Sequence, residues 1–289
     1  MNQPLEDHDL GFQHDLPRLI GRRRALALLG GAGLAAAGAL PAEADVCFPL
    51  RWATAGPFPA DGSNGHRGRT LNVLAQSGVV REDIRASFGP LTPIAEGVEL
   101  KLELTLLDAD GCAPLEDHAI YLWHCDANGR YSLYDRPEAN YLRGVGVTDS
   151  DGEVSVTTIV PGCYPGRWPH IHFQVFENID AAVAGPRSLL TGQIALPEMA
   201  LAEVYRGSAP YAGALGTLRR LSIPRDTVFR DSTPQQLAQQ TMSMSGDPED
   251  GYTGSVTIPV DLKAGPDSAM TPPPGRIGGP LPPPTPLKR

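Results

Sequence analysis

The 289-residue chain contains no C-x-x-C pair, no basic run interleaved with aromatics, no internal repeat and no apolar stretch long enough to span a bilayer. Each absence closes a class of function. Structural zinc sites draw on closely spaced cysteine pairs, so their lack disfavours a zinc ribbon or finger. A net charge of −9 without any basic, aromatic-rich segment argues against a nucleic-acid partner. The apolar run from Ala25 to Leu40 is shorter than the ~20 residues of a spanning helix, which argues against a stable membrane anchor. What remains is ordinary for a soluble globular protein, with 41% apolar and 20% charged residues. The length allows one large domain or two small ones, and the acidity reads as solubility.

The two ends differ from the middle. Gly21-Arg22-Arg23-Arg24 precedes the weakly apolar, Gly/Ala-rich run, and Ala42-Glu43-Ala44 offers small residues where a signal peptidase cuts. Residues 1–44 therefore read as a targeting peptide of the twin-arginine type, which exports folded proteins, with an ordinary Sec signal as the alternative. Either route implies a periplasmic or secreted protein. Residues 264–289 are crowded with proline, including Pro272-Pro273-Pro274 and Pro282-Pro283-Pro284, and read as a disordered or polyproline tail. The folded domain is then 45–263.

Within it, residues 45–97 are rich in Gly, Pro and turn dipeptides and read as an irregular arm wrapped on a core. Val98, Leu100, Leu102, Leu104 and Leu106 alternate with polar residues, the period of a half-buried strand. Further strands are expected over 118–125, 144–148, 153–160, 170–176 and 255–260. The turn Asp149-Ser150-Asp151-Gly152 joins two of them as a hairpin. Its acids lack the later ligands of a calcium-binding EF-hand loop, so turn chemistry explains them better. Short helices fit 197–205 and 234–242. Many short strands separated by turns argue a mainly β fold, an antiparallel β-sandwich with short helices and long loops.

The segment most informative about chemistry is Pro161-Gly-Cys-Tyr164-Pro-Gly-Arg167-Trp-Pro-His170-Ile-His172-Phe-Gln-Val-Phe176. In a strand, His170 and His172 share one face while Ile171, Phe173 and Val175 occupy the other. Two imidazoles at this spacing can share a metal, with the apolar face anchoring the strand in the core. An isolated H-x-H is more often packing or surface polarity. Where it binds metal, zinc, copper and Fe(II) all use it.

Other segments add to this one: Ile120-Tyr-Leu-Trp123-His-Cys125-Asp-Ala-Asn-Gly129-Arg-Tyr131-Ser132, Leu142-Arg-Gly-Val-Gly-Val-Thr148-Asp-Ser-Asp-Gly152, Thr191-Gly192-Gln193 and the Thr54-Ala55-Gly56-Pro57-Phe58 stretch. Together they resemble the intradiol ring-cleavage dioxygenases, the family of protocatechuate 3,4-dioxygenase and catechol 1,2-dioxygenase. The likeness is greatest to short exported relatives in which a P-G-x-Y-x-G-R-x-x-H-I-H run recurs. The matching blocks run in family order from about residue 47 to 260.

The resemblance implies one Fe(III) per chain, held by Tyr131, Tyr164, His170 and His172, with Tyr164 the ligand displaced by substrate. It also implies that Arg167 stabilises charge on the bound substrate and, less directly, that Gln193 lies near the pocket. Tyr134 and Tyr141 compete for the first tyrosine position, but neither follows the glycine as the block requires. Fe(III) is a hard cation that favours anionic oxygen ligands, so two phenolates suit it. The implied reaction takes a catecholic substrate and O2 to a muconate-type diacid. Which catechol, and whether the protein is a homo-oligomer, stay open.

Two departures from the family stand out. The interval from Tyr164 to His170 is shorter than in the protocatechuate enzymes, and Cys163 replaces a bulky residue. Four cysteines in an exported chain suggest disulfides. Cys125 with Cys163 and Cys47 with Cys112 is one arrangement; a free Cys163 thiol near the iron is another. His66, His118, His124, Asp108 and Asp110 read as turn or packing residues. A non-catalytic β-sandwich binding module, or a metalloenzyme using only the H-x-H pair with another metal, are the competing functions.

Overall fold

The leucine alternation becomes β3, Glu99–Asp108, in which Leu100, Leu102, Leu104 and Leu106 are at most 1% exposed while Glu99, Lys101 and Glu103 face solvent. Burying each leucine contributes roughly 2 kcal/mol before entropy is counted. The computed structural model describes residues 47–185 and 187–264. The segment read as a targeting peptide and nearly all of the proline-rich tail lie outside the described residues.

In chain order, β1 (Asp61–His66) and β2 (Arg69–Asn72) form a small hairpin within the arm. After β3 come β4 (Ala119–Trp123), β5 (Arg143–Val147), β6 (Glu153–Ile159) and β7 (His170–Phe176). Then follow α1 (Ile179–Ala184), β8 (Leu190–Ala195), α2 (Glu198–Gly207), α3 (Ala214–Leu218), α4 (Pro234–Gln240), β9 (Ser243–Asp247) and β10 (Gly251–Val260). Helix α4 starts on a capping box, with Thr233 and Gln236 satisfying each other's backbone N–H and Pro234 in the first turn.

Two four-stranded sheets result, ordered β6-β3-β10-β9 and β5-β4-β7-β8. The expected sandwich is present, and the strand at 170–176 has the expected bounds. One pairing departs from an all-antiparallel sandwich: β10 runs parallel to β3, from Tyr252 opposite Leu100 to Val260 opposite Asp108. The 142-residue interval between them carries the second sheet and the helices, a crossover long enough to bring the chain back in the same direction. Strands β8 and β9 and the arm hairpin have no clear alternation in the sequence, and they were not anticipated there.

Strand β7 separates two buried layers. Ile171, Phe173 and Val175 join the leucines of β3 and Ile120 and Leu122 of β4 in the sandwich core. The opposite face of the β4–β7 sheet carries Tyr121, Trp123 and Phe176, and the arm covers it with Ala60, Val73, Leu74, Val79 and Phe88. The arm is thus the lid of a second core.

Cys47 and Cys112 form a disulfide that ties the start of the arm to the turn after β3. The Cys125–Cys163 bridge is not formed: both thiols are free and buried. Each donates to a different carbonyl, Cys125 to Gly162 at 3.6 Å and Cys163 to Ala214 at 3.4 Å, so their sulfurs are engaged apart. Closing a 65-residue separation restricts the unfolded chain by up to about 4 kcal/mol. Replacing Cys47 and Cys112 together by serine is expected to lower the thermal midpoint by several degrees. Equal midpoints for wild type and variant under oxidising conditions would show that the crosslink contributes nothing.

Candidate metal centre

The second core is polar where β7 enters it. Its period of two places the His170 and His172 imidazoles side by side, with Nε2 atoms 3.0 Å apart. His170 Nδ1 lies 2.5 Å from the Trp168 carbonyl, so it carries the proton and leaves the Nε2 lone pair facing inward. His172 is oriented differently. Its ring stacks on Trp123, its cross-strand partner on β4, at 4.8 Å with 6° between planes, while its Nδ1 has no hydrogen-bond partner.

The two tyrosines come from interlocked turns. Asp126 accepts from the backbone N–H groups of Asn128 and Arg130 and tightens the first turn. Gly129 has φ 74°, and a Cβ there would lie 2.5 Å from the Cys163 carbonyl oxygen. A Cβ on Gly162 would lie 2.3 Å from the Ala127 carbonyl oxygen. Only glycines allow this backbone approach. It brings the Tyr131 and Tyr164 hydroxyls to 3.2 Å, and the Tyr164 hydroxyl to 3.3 Å from His170 Nε2. All four expected ligands therefore converge. Tyr131 is 2% exposed, whereas Tyr164 is only half-buried.

Burial controls the protonation of this cluster. It pushes the Tyr131 phenol well above its ordinary value, aided by the nearby Cys125 and Tyr164, and the Tyr164 phenol up to about 12. It drives His170 down to about 3 and His172 well below the usual range, with Arg167 and the neighbouring imidazole adding to the effect. Without a metal, both phenols are protonated and both imidazoles neutral at physiological pH. Inward-facing imidazole nitrogens beside two phenol oxygens form a donor set suited to a cation. Among the described residues no three His, Cys, Asp or Glu side chains gather to hold a metal, so the tyrosines are needed to complete the set.

Arg167 follows the Tyr164 turn and is held along one edge. Its Nε donates to Asp226 at 2.9 Å and its Nη2 to Gln193 Oε1. Gln193 lies opposite His172 on β8 and donates through Nε2 to the Thr54 carbonyl at 2.8 Å. Gly56 brings the arm over His172, where an added Cβ would stand 3.4 Å from Cε1. Asp226 is missing from the sequence-derived set. Burial would raise its pKa, but the Phe229, Trp168 and Val228 N–H groups and Arg167 outweigh that and lower it. No local signal marks it, since it lies 59 residues from Arg167 in an irregular segment.

Arg143 is also missing as a role, although its block was recognised. It is fully buried and spends its five N–H groups on the Phe58, Pro59 and Ser132 carbonyls and the Tyr121 and Ser132 hydroxyls. It thus fixes the arm and the residue after Tyr131 together. The residues read as packing or turns behave so: His124 is buried between Thr158 and the Cys125 carbonyl, His66 packs on Tyr134, and Asp110 pairs with Lys263.

A family model described as Dioxygenase matches residues 92–181, a segment that contains Tyr131, Tyr164, Arg167, His170 and His172. Catechol 1,2-dioxygenase from Acinetobacter baylyi is 37% identical over 75 residues, 24% of each chain. The present chain thus matches about a quarter of that relative's length. An intradiol ring-cleavage dioxygenase from Tetranychus urticae has a similar structure, with a TM-score of 0.56 at 22% identity over 77% of this chain and 98% of the other. A further dioxygenase crystal structure gives a TM-score of 0.57 at 21% identity over the same shares. The resemblance read from the ordered blocks is borne out.

Replacing Arg143 by methionine keeps much of its volume but strands at least the Phe58 and Ser132 carbonyls. At about 1–3 kcal/mol per buried unsatisfied group, the loss is on the order of 3 kcal/mol. For a domain of this size that is about 6–12 °C in thermal midpoint. A midpoint within about 2 °C of wild type would show that the arm is held by other contacts.

Proposed function

We propose that this chain, which shares the fold of the intradiol ring-cleavage dioxygenases and matches their family model across its central strands, is itself such an enzyme. It would use one Fe(III) and O2 to open a catecholic ring between its two hydroxylated carbons. Both oxygen atoms of O2 end in the product, a muconate-type diacid, so the reaction needs no external reductant. The observation that carries this reading is the convergence of Tyr131, Tyr164, His170 and His172 within 3.0–3.3 Å contacts.

The donor set fits the ion. Two phenols that become phenolates match a hard trivalent cation, and two neutral imidazoles complete the protein's share. Bound there, ferric iron would supply the charge that ionises the phenols and would make a chelating catecholate reactive toward O2.

The remaining roles belong to the chain. Tyr131, sealed in the second core, is the permanent oxygen donor. Tyr164, half-buried at the edge, is free to move aside and take a proton from an incoming catechol hydroxyl at its own oxygen. Arg167 offers the end of its guanidinium that Asp226 and Gln193 do not engage, a fixed positive charge for negative charge developing on the ring oxygens. Gln193 ties that arginine to the arm, so its role is to hold the guanidinium and the Thr54 segment in register. The arm and Trp123 exclude water from the inner side of the histidine pair.

Export is part of the proposal. The Cys47–Cys112 disulfide suits an oxidising compartment, in keeping with the targeting sequence.

Iron content, the visible spectrum and O2 uptake with a panel of catechols test the assignment. The wild type is expected to bind one iron, to be coloured by tyrosinate-to-iron charge transfer, and to consume O2. Tyr131→Phe and Tyr164→Phe should each shift or abolish the band and cut activity by more than about 100-fold. An iron-loaded protein without colour or O2 uptake would sink the reading. A pH test is independent of turnover. Both phenols remain protonated without metal, so loading must release two protons. Apparent Fe(III) affinity, corrected for the delivering chelate, should then fall about 100-fold for each pH unit lowered. A pH-independent affinity would mean that the tyrosines are not ligands.

A further inference from the structure

We infer that Asp226 is a positioning residue for the proposed reaction, acting through Arg167. Its carboxylate is fully buried, and four donors converge on it. Oδ2 accepts from Arg167 Nε at 2.9 Å and from the Trp168 backbone N–H at 2.7 Å. Oδ1 accepts from the Val228 and Phe229 backbone N–H groups at 2.7 and 2.9 Å. Four N–H donors use the acceptor capacity of an ionised carboxylate in full. Its own backbone N–H is bound to the Ser222 and Ile223 carbonyls, so the carboxylate sits on a fixed base.

The consequence lies at the arginine. A guanidinium on a flexible stem samples many rotamers, and an unrestrained Arg167 would be a diffuse charge at the mouth of the site. Asp226 takes Nε and Gln193 takes Nη2, which are neighbouring N–H groups on one edge of the plane. Two acceptors from separate elements define both the position and the tilt of that plane. The free end, Nη1, is then aimed by structure rather than by substrate. The same oxygen also accepts from the Trp168 backbone N–H, a contact that seats the carboxylate against the arginine's own turn.

An asparagine cannot substitute. Whichever way its amide is turned, an NH2 group faces two N–H donors where an acceptor is required. A glutamate places the carboxylate one methylene too far forward.

The inference rests on the proposed dioxygenase reading, and the test separates the two. Asp226→Asn should lower kcat/KM for O2-dependent catechol cleavage by roughly 10–100-fold, the scale of a misplacement near 1 Å. Iron content and the visible band should be retained. In an Arg167→Ala background the same substitution should cost less than about 3-fold further, because the residue through which it acts is gone. An equal cost in both backgrounds, or parallel loss of iron and colour, would make Asp226 a loop staple and overturn the inference. A second measurement needs neither turnover nor an Asp226 variant. In the metal-free wild type, the Arg167 Nε–H resonance, assigned with Arg167→Lys, should exchange with water at least about 10-fold more slowly than those of exposed arginines. Exchange as fast as theirs would overturn the inference even if the enzyme reading stands. A wild type that consumes no O2 with any catechol would instead fail that reading, whatever the arginine does.

Discussion

Strand β7 is buried on both faces along its whole length, and the rest of the structure answers to that constraint. A sheet strand normally faces polar residues to water, but His170, His172 and Gln174 point into a second core. Buried polar groups need partners. Gln174 finds Asp61 of the arm at 3.0 Å, His170 finds the Trp168 carbonyl, and the inward nitrogens find each other and the tyrosines. The arm and the two turns are thereby committed to this face. Had the polar row faced the solvent, no arm would be required and no enclosed site would exist.

The arm is anchored by a charge that has no counter-ion among its direct partners. The Arg143 N–H groups donate to carbonyl and hydroxyl oxygens drawn from β4, the arm and the turn after Tyr131, and its guanidinium lies over the Tyr134 ring. Neutral dipoles in such number solvate a guanidinium as water would, without the rigid one-to-one geometry of an ion pair. The arrangement helps fix an irregular, Gly/Pro-rich segment over the histidines. Backbone bonds to the two sheets, such as Arg81 N–H to the Val145 carbonyl and Ile84 N–H to the Thr157 carbonyl, add to that hold.

The features legible in the sequence are those written at short range. The alternation over Leu100–Leu106 and over 170–176 specified the faces of β3 and β7, and the glycine two residues before Tyr131 distinguished it from Tyr134 and Tyr141 within the family-like block. The sandwich followed from these patterns, and the four side chains named by the resemblance come together in space. Features that depend on separate segments meeting in space were not legible. Asp226 is one of several aspartates in loops, and only the fold distinguishes it. The parallel β3–β10 pairing is a matter of chain path. The cysteines could be counted but not paired, because pairing depends on where the sulfurs point, and Cys163 points at Ala214. Gln193 bridges Arg167 to the arm, a link between three separate segments that no local pattern could reveal.

On the proposed assignment, the use of tyrosines rather than carboxylates as oxygen donors follows from the same burial. Two carboxylates in this position would ionise near neutral pH and repel each other in a site removed from water, at a cost of several kcal/mol to the folded protein. Two phenols stay neutral, so the metal-free fold is free of that repulsion. The charge of Arg167 is offset by Asp226, and the imidazoles are uncharged, so the assembled centre has no net charge. Ionising the phenols then falls wholly on the incoming ion, and burial makes that step harder by raising both pKa values. A weakly polarising divalent ion gains too little from two phenols that keep their protons. A trivalent ion displaces them and leaves a centre of charge near +1. On the proposed assignment, the apolar packing that shields the site is therefore also what selects ferric iron over commoner divalent ions.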